Sequence, residues 1–233
     1  MFHLFPSIVH EIPVYEYERD RDELIDYVYS EREKDKHGEV YRTNRGGWQS
    51  NDGYYQGNNL VRGVVLNSLG NYFNSESIIK PGVNLYLTAC WININKKGDY
   101  NVQHDHPGCH MSGVMYLKVP VSNSKGKLAG VTAIDGYVEA KGEPIGGEIC
   151  FSNVNSFGAW KEHFYYTDEF KQQSCQFGAY YIEPKEGTML FFPANLRHHV
   201  EPNKSDEDRI SISFNVDLVP DPEESASHHK YTK

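Results

Sequence analysis

DRISISFNVD, residues 208–217, alternates strictly between apolar and polar positions. Ile210, Ile212, Phe214 and Val216 fall on one side of an extended backbone, and Arg209, Ser211, Ser213 and Asn215 on the other. Successive side chains of a strand point to opposite faces, so this pattern predicts a strand with one face in a core. The polar face admits two readings. It is the wet side of a half-buried sheet, or it lines a barrel. In a barrel Arg209 would offer a planar fork of N–H donors to a carboxylate, and Ser211 a hydroxyl. A bound ligand would then be the partner that makes a buried arginine tolerable.

Upstream of this stretch the signal is also β. Leu85–Ile94 and Gly113–Val119 are strong strand candidates. Gly147–Ser152, Ala179–Glu183 and Thr188–Phe192 are shorter ones, separated by Gly, Pro, Asn and Asp clusters. Two helices come before them. Asp20 is placed to cap a helix reaching Glu33, with Leu24, Ile25 and Val28 as its buried stripe. A second helix is predicted over Leu60–Phe73, where Val61, Val65, Leu69 and Tyr72 recur at helical spacing. Lys80-Pro81-Gly82 then breaks the chain, and residues 1–18 read as an extended entry segment. Helices followed by a run of short strands predict a mainly β fold, a jelly roll with N-terminal supporting helices. One domain is expected over residues 1–220, with a helical part at about 1–80 and a jelly-roll core at about 81–220. The core carries a long insertion, about 121–178, that includes Trp160 and reads as a functional loop or lid. The polar tail, residues 221–233, is expected to be disordered.

Composition narrows the function. The chain has 233 residues, of which 39% are hydrophobic and 13% aromatic, enough for a sizeable core. A formal net charge of -9 argues against general nucleic-acid binding, because an acidic chain repels phosphate backbones. No apolar run approaches the roughly 20 residues that cross a bilayer, and the N-terminus lacks the pattern of a signal peptide. The four cysteines are scattered with no CxxC pair, which suits reduced thiols in a cytoplasmic protein.

The stretch NVQHDHPGCHMSGVMYL, residues 101–117, holds His104, His106 and His110. In an extended segment His104 and His106 share a face while Asp105 points away. A third ligand is expected from FFPANLRHHVEPN, residues 191–203, where a short turn after Pro193 leads to His198 and His199. Three protein ligands on one face of a metal leave open positions for a cosubstrate and oxygen. The bland alternative is that some of 11 histidines fall two apart by chance. A structural zinc is disfavoured, since only Cys109 lies near the histidines and a Pro-Gly step separates it from His106.

These residues resemble the iron(II)/2-oxoglutarate-dependent dioxygenases. The match is closest to a bacterial and phage group of 2-oxoglutarate-Fe(II) oxygenases distantly related to prolyl hydroxylases. It is carried by GGWQS (46–50), HDHPGCHMSGVMYLKVP (104–120), GGEICF (146–151), LFFPANLRHHVEPN (190–203) and RISISFN (209–215), which together span most of the chain. The resemblance implies a double-stranded β-helix and an Fe(II) site of His104, His106 and His198, with His199 a bystander. It implies that Arg209, Ser211 and Tyr116 hold the far carboxylate of 2-oxoglutarate, and that Gly146 and Gly147 open a barrel strand. It also implies dioxygen as the other cosubstrate, hydroxylation of a C–H bond, and release of succinate and carbon dioxide. One departure stands out: the wider superfamily has His-x-Asp where this chain has His104-Asp105-His106. The site is therefore expected to be a three-histidine one, with Asp105 the alternative second ligand.

Trp48 and Gln49, beside a glycine pair, are candidate substrate-facing residues. Two other functions fit the same residues. One is a cupin-like metal-dependent dioxygenase or isomerase that uses the histidines without 2-oxoglutarate. The other is a non-catalytic jelly-roll module. The group beside Arg209 discriminates them. The sequence names neither a primary substrate, whether small molecule or peptide, nor an oligomeric state.

Overall fold

The computed structural model describes residues 7–39, 43–57, 59–76, 78–120, 133–134, 137–138, 146–153, 167 and 178–221. Most of the expected insertion and residues 222–233 of the tail lie outside the described residues.

Two antiparallel sheets form a jelly roll, and two helices pack against one of them. The strand expected over Arg209–Asp217 is β13, Arg209–Pro220. It pairs with β4 (Val83–Asn95) on one side and β6 (Met111–Lys118) on the other. The larger sheet continues outward from β6 to β11 (Thr188–Pro193) and β1 (His10–Pro13), and from β4 to the short β3 (Trp48–Gln49). The smaller sheet runs β10 (Ala179–Ile182), β9 (Ile149–Ser152), β12 (His198–Val200), β5 (Tyr100–His104), β2 (Asn44–Arg45). A separate hairpin joins β7 (Ala133–Ile134) and β8 (Tyr137–Val138).

The period-two pattern divides the interior in two. Ile210, Ile212, Phe214 and Val216 of β13, with Ile92 and Ile94 of β4 and Met115 and Leu117 of β6, pack toward the helices. Val114, Tyr116, Ile149, Phe151, Leu190 and Phe192 form a second core between the sheets. The polar face of β13 lies on this second side, as the barrel-lining reading expected.

Helix α1 spans Tyr17–Lys34 and buries Leu24 and Val28. It begins three residues before Asp20, so Asp20 lies in its first turn and is not its cap. The preceding residue, Glu16, is left-handed at φ 53 and makes no capping bond with its side chain. The start is set instead by Tyr17, whose hydroxyl donates to the Leu117 carbonyl of β6 at 2.7 Å. Helix α2 spans Leu60–Glu76. The Asn59 side chain accepts from the Arg62 N–H at 2.8 Å and satisfies one of the free donors of its first turn. Among the described residues no helix is long and apolar enough to cross a membrane.

Gly113 of β6 lies in close contact with its neighbouring strands. A Cβ there would lie 2.2 Å from Phe214 Cζ and 2.6 Å from the Leu190 carbonyl. Gly113→Ala is expected to destabilise the fold by about 1–3 kcal/mol through overpacking. A lower urea midpoint with an unchanged m-value would register this.

Candidate metal centre and cosubstrate pocket

Two strands of the smaller sheet bring the distant histidines together. His104 ends β5 and His198 begins β12, and the two are direct cross-strand partners. Their rings lie 4.3 Å apart, centroid to centroid. His106 arrives differently. The sequence expectation put it on the same strand face as His104, but β5 stops at His104 and His106 lies beyond its end. Its position comes from an exchange with the end of β11. The His106 N–H donates to the Ala194 carbonyl at 2.9 Å, and the Ala194 N–H donates to the His110 carbonyl at 3.1 Å. The ligand atoms of His104, His106 and His198 all lie within 4.8 Å of one another.

The chemistry of this donor set suits a divalent transition metal. His104 Nδ1 lies 2.7 Å from the Val102 carbonyl, and His198 Nδ1 lies 2.8 Å from the Leu196 carbonyl. A carbonyl only accepts, so each Nδ1 carries the proton and each Nε2 keeps its lone pair for a metal. Burial holds the rings neutral. It pushes His106 down to about 4 and His198 to about 3, and the neighbouring imidazoles add to the effect. His104 is lowered for the same first reason. These three residues could hold a metal, and as neutral ligands they would leave its full charge uncompensated.

Asp105 stands apart from the cluster, with its carboxylate 3.7 Å from Arg197. His199 points to the other side of the sheet, where its Nε2 lies 3.1 Å from Glu201. His110 is exposed and lies 3.1 Å from Asp217.

A cavity runs from the histidines to Arg209. Arg209 is 3% exposed, and its guanidinium lies 5.3 Å from the centre of the Tyr116 ring. Its hydrogen bonds are long: 3.5 Å to Asn95 Oδ1 and 3.4 Å to Ser211 Oγ. Arg209 Nε and the Tyr116 hydroxyl are buried without partners. Among the described residues no carboxylate forms an ion pair with Arg209. Burial lowers the pKa of Arg209, and burial also pushes the Tyr116 hydroxyl up to about 12 against the opposing effect of Arg209. Gly147, at φ +75, lies against the arginine: a Cβ there would fall 2.8 Å from Arg209 Cδ and 2.9 Å from Nε.

The structure therefore brings together His104, His106, His198, Tyr116, Arg209 and Ser211 around one cavity. Trp48 and Gln49, the candidate substrate-facing residues, are not among those that line it. Trp48 packs in the helix-side core and its indole N–H donates to the Asp35 carbonyl at 2.7 Å. Gln49 is buried beside it at 3% exposure and is not part of the lining. The lining instead includes Trp91 and Asn93 of β4 and Asn101 of β5. The first two carried a legible signal. Trp91, Asn93 and Asn95 alternate with Ile92 and Ile94 as the residues of β13 do. The Trp91 ring lies 5.8 Å from that of His106.

Residues 89–215, more than half of the chain, match the family described as "Putative 2OG-Fe(II) oxygenase". The chain belongs to this family. It is thus a 2OG-Fe(II) oxygenase, an oxidoreductase, and the family binds iron(II), 2-oxoglutarate and dioxygen. No curated protein matches the sequence. The fold of this oxygenase is similar to that of the viral collagen prolyl hydroxylase of Paramecium bursaria Chlorella virus-1, solved with 2-oxoglutarate. Identity there is 16%, the TM-score is 0.52, and 91% of this chain and 96% of that one are covered. A Pseudomonas putida prolyl-4-hydroxylase is 14% identical with a TM-score of 0.52, covering 89% and 91%. The carbocyclase SnoK of nogalamycin biosynthesis is 12% identical with a TM-score of 0.57, covering 97% and 87%. At these identities the likeness is one of fold.

Metal content is expected to follow the cluster. His104→Ala, His106→Ala and His198→Ala should each lose stoichiometric iron(II), measured by elemental analysis after anaerobic reconstitution. His110→Ala, His199→Ala and Asp105→Ala should keep it. His106→Asp, which restores the wider superfamily's carboxylate, should also keep it. Loss in Asp105→Ala with retention in His106→Ala would transfer the second ligand to Asp105.

Proposed function

We propose that this protein is an Fe(II)- and 2-oxoglutarate-dependent dioxygenase that hydroxylates a C–H bond of its substrate. His104, His106 and His198 hold the metal, while Arg209, Ser211 and Tyr116 hold the far carboxylate of 2-oxoglutarate. The observation that carries this reading is the buried Arg209 fork without a carboxylate partner, at the opposite end of the cavity from three neutral imidazoles. A buried cation is costly unless an anion pairs with it. A dicarboxylate lying along the cavity would meet the guanidinium, the Ser211 hydroxyl and the unpaired Tyr116 hydroxyl at one end.

The distances along the strands support the same arrangement. Arg209 pairs with Asn95, and four residues along β13 Ser213 pairs with Trp91, whose ring lies beside His106. At about 3.3 Å per residue the two ends of this polar face stand roughly 13 Å apart.

Iron(II) held by His104, His106 and His198 would supply dioxygen activation, coupling oxidative decarboxylation of 2-oxoglutarate to succinate and carbon dioxide with hydroxylation of the substrate. The residues of the chain bind and orient. The Val102 and Leu196 carbonyls hold the two imidazoles in one tautomer. Arg209 sets the direction of the cosubstrate, and Phe192, Ile149 and Val114 exclude water along the apolar wall.

Titration of the anaerobic iron(II) protein with 2-oxoglutarate, followed by metal-to-ligand charge-transfer absorbance, tests the proposal. Wild type should saturate below millimolar concentration. Arg209→Ala should retain iron but bind 2-oxoglutarate more weakly by about 2–5 kcal/mol, the usual cost of leaving a buried charge unpaired. That corresponds to roughly 30-fold to several-thousand-fold in affinity. Arg209→Lys should fall between, because it keeps the charge and loses the fork. Ser211→Ala should cost less, since it removes one neutral partner. No saturable band in wild type would replace this reading with a cupin-like enzyme lacking the cosubstrate.

Gly147→Ala offers an independent check. Its Cβ would displace the arginine stem, so iron should be retained while 2-oxoglutarate affinity falls to a value between wild type and Arg209→Ala. An unchanged titration would show that the stem has room to give.

A further inference from the structure

Among the described residues, the walls of the cavity beyond the cosubstrate's contacts carry no further charged side chain. Apart from the three histidines and Arg209, the lining among the described residues consists of hydroxyl, carboxamide, aromatic and aliphatic side chains. Two carboxamides face it from opposite sheets. Asn93 comes from β4 of the larger sheet, and Asn101 from β5 of the smaller one.

Asn93 is 5% exposed. Its Nδ2 donates to Ser213 Oγ at 3.1 Å, and its Oδ1 is buried without a partner. Turning the amide over exchanges these roles and still leaves one end open. A buried polar group without a partner is costly, so the open end calls for a ligand atom.

Asn101 reaches the cavity through a local irregularity. His198 pairs with His104, but Val200 pairs with Asn101, so three steps on β5 oppose two on β12. In a regular strand an odd separation would put Asn101 and His104 on opposite faces. The bulge re-aims Asn101 to the same side as the metal cluster, a frequent use of bulges near functional sites. Its Nδ2 lies 3.3 Å from Thr43 Oγ1, which also lines the cavity.

We propose that Asn93 and Asn101 form a two-sided clamp for an amide group, and that the primary substrate is an amide-bearing molecule. This rests on the 2-oxoglutarate reading, which engages Arg209 with the cosubstrate. Among the described residues that line the cavity, a carboxylate substrate would then find no second permanent cation, and an ammonium group would find no carboxylate. An amide presents a donor and an acceptor in one plane, which matches two carboxamides. Trp91, beside His106, would pack the apolar part of the same molecule near the reacting position.

The experiment uses 15N-labelled protein loaded with zinc(II), a redox-inert stand-in for iron, and with saturating 2-oxoglutarate. The side-chain amide resonances of Asn93 and Asn101 are identified by their loss in Asn93→Leu and Asn101→Leu. Three matched probes are titrated: isobutyramide, isobutyrate and isobutylamine. Isobutyramide should shift both resonance pairs saturably, and the two ions should not. Each leucine variant should bind isobutyramide about threefold to tenfold more weakly, the loss of one neutral hydrogen bond. Where leucine disturbs folding, the isosteric Asn93→Asp and Asn101→Asp serve, and these should shift the preference toward isobutylamine. The clamp is overturned if either ion binds as well as the amide, or if isobutyramide leaves both pairs unmoved. It is also overturned if 2-oxoglutarate itself shifts both pairs and blocks the amide, which would assign them to the cosubstrate. Failure of the 2-oxoglutarate reading shows separately, as an Arg209 Nε–H resonance that does not move when 2-oxoglutarate is added.

Discussion

β13 has a paired neighbour on each side, so its side chains have only two places to go. Over Arg209–Val216 the apolar row enters the core beneath the helices, and Arg209, Ser211 and Ser213 face the barrel. Its isoleucines, Phe214 and Val216 anchor the helices, whereas Arg209, Ser211 and Ser213 give the barrel a polar wall. A slip of one residue would bury Arg209 against α1 and α2 and expose the apolar row to the cavity. The strand's register is thus set by the helix-side core, and the cavity inherits its chemistry from that register.

The cavity is electrically uneven. One end has a buried guanidinium with long hydrogen bonds and an unpaired Nε. The other has three imidazoles that burial keeps neutral. Neither end is satisfied by the protein alone. Three neutral imidazoles bring no negative charge to a metal they could hold, and such a metal would favour an anionic partner. The architecture commits backbone groups to positioning these side chains: the Val102 and Leu196 carbonyls fix two tautomers, and Ala194 pins the turn that carries His106.

Much of this was legible locally. The alternation in residues 208–217 foretold both faces of β13, because side-chain direction in a strand depends only on position parity. The same parity in β4 pointed to Trp91 and Asn93. The helix over Leu60–Phe73 followed from its spacing and runs on to Glu76, though the start of α1 did not follow. Asp20 has the chemistry of a cap, but the contact of Tyr17 with β6 extends the helix past it. Trp48 looked like a site residue beside its glycines, and the β3–β4 pairing instead turned it into the helix-side core.

The sequence by itself determined which residue types were available to a metal and a carboxylate, and that His104 and Arg209 lay on strands. Those are properties of composition and period. Only the tertiary structure decided which neighbours entered the site. His198 rather than His199 joins the cluster because β12 pairs His198 directly with His104. His106 converges because a turn beyond β5 is held against the end of β11, and Asn101 because a bulge reverses its parity. Each of these choices depends on a hydrogen-bonded partner distant in the chain, so spacing alone left His198 and His199 open where the family resemblance pointed to His198, and nothing local pointed to Asn101.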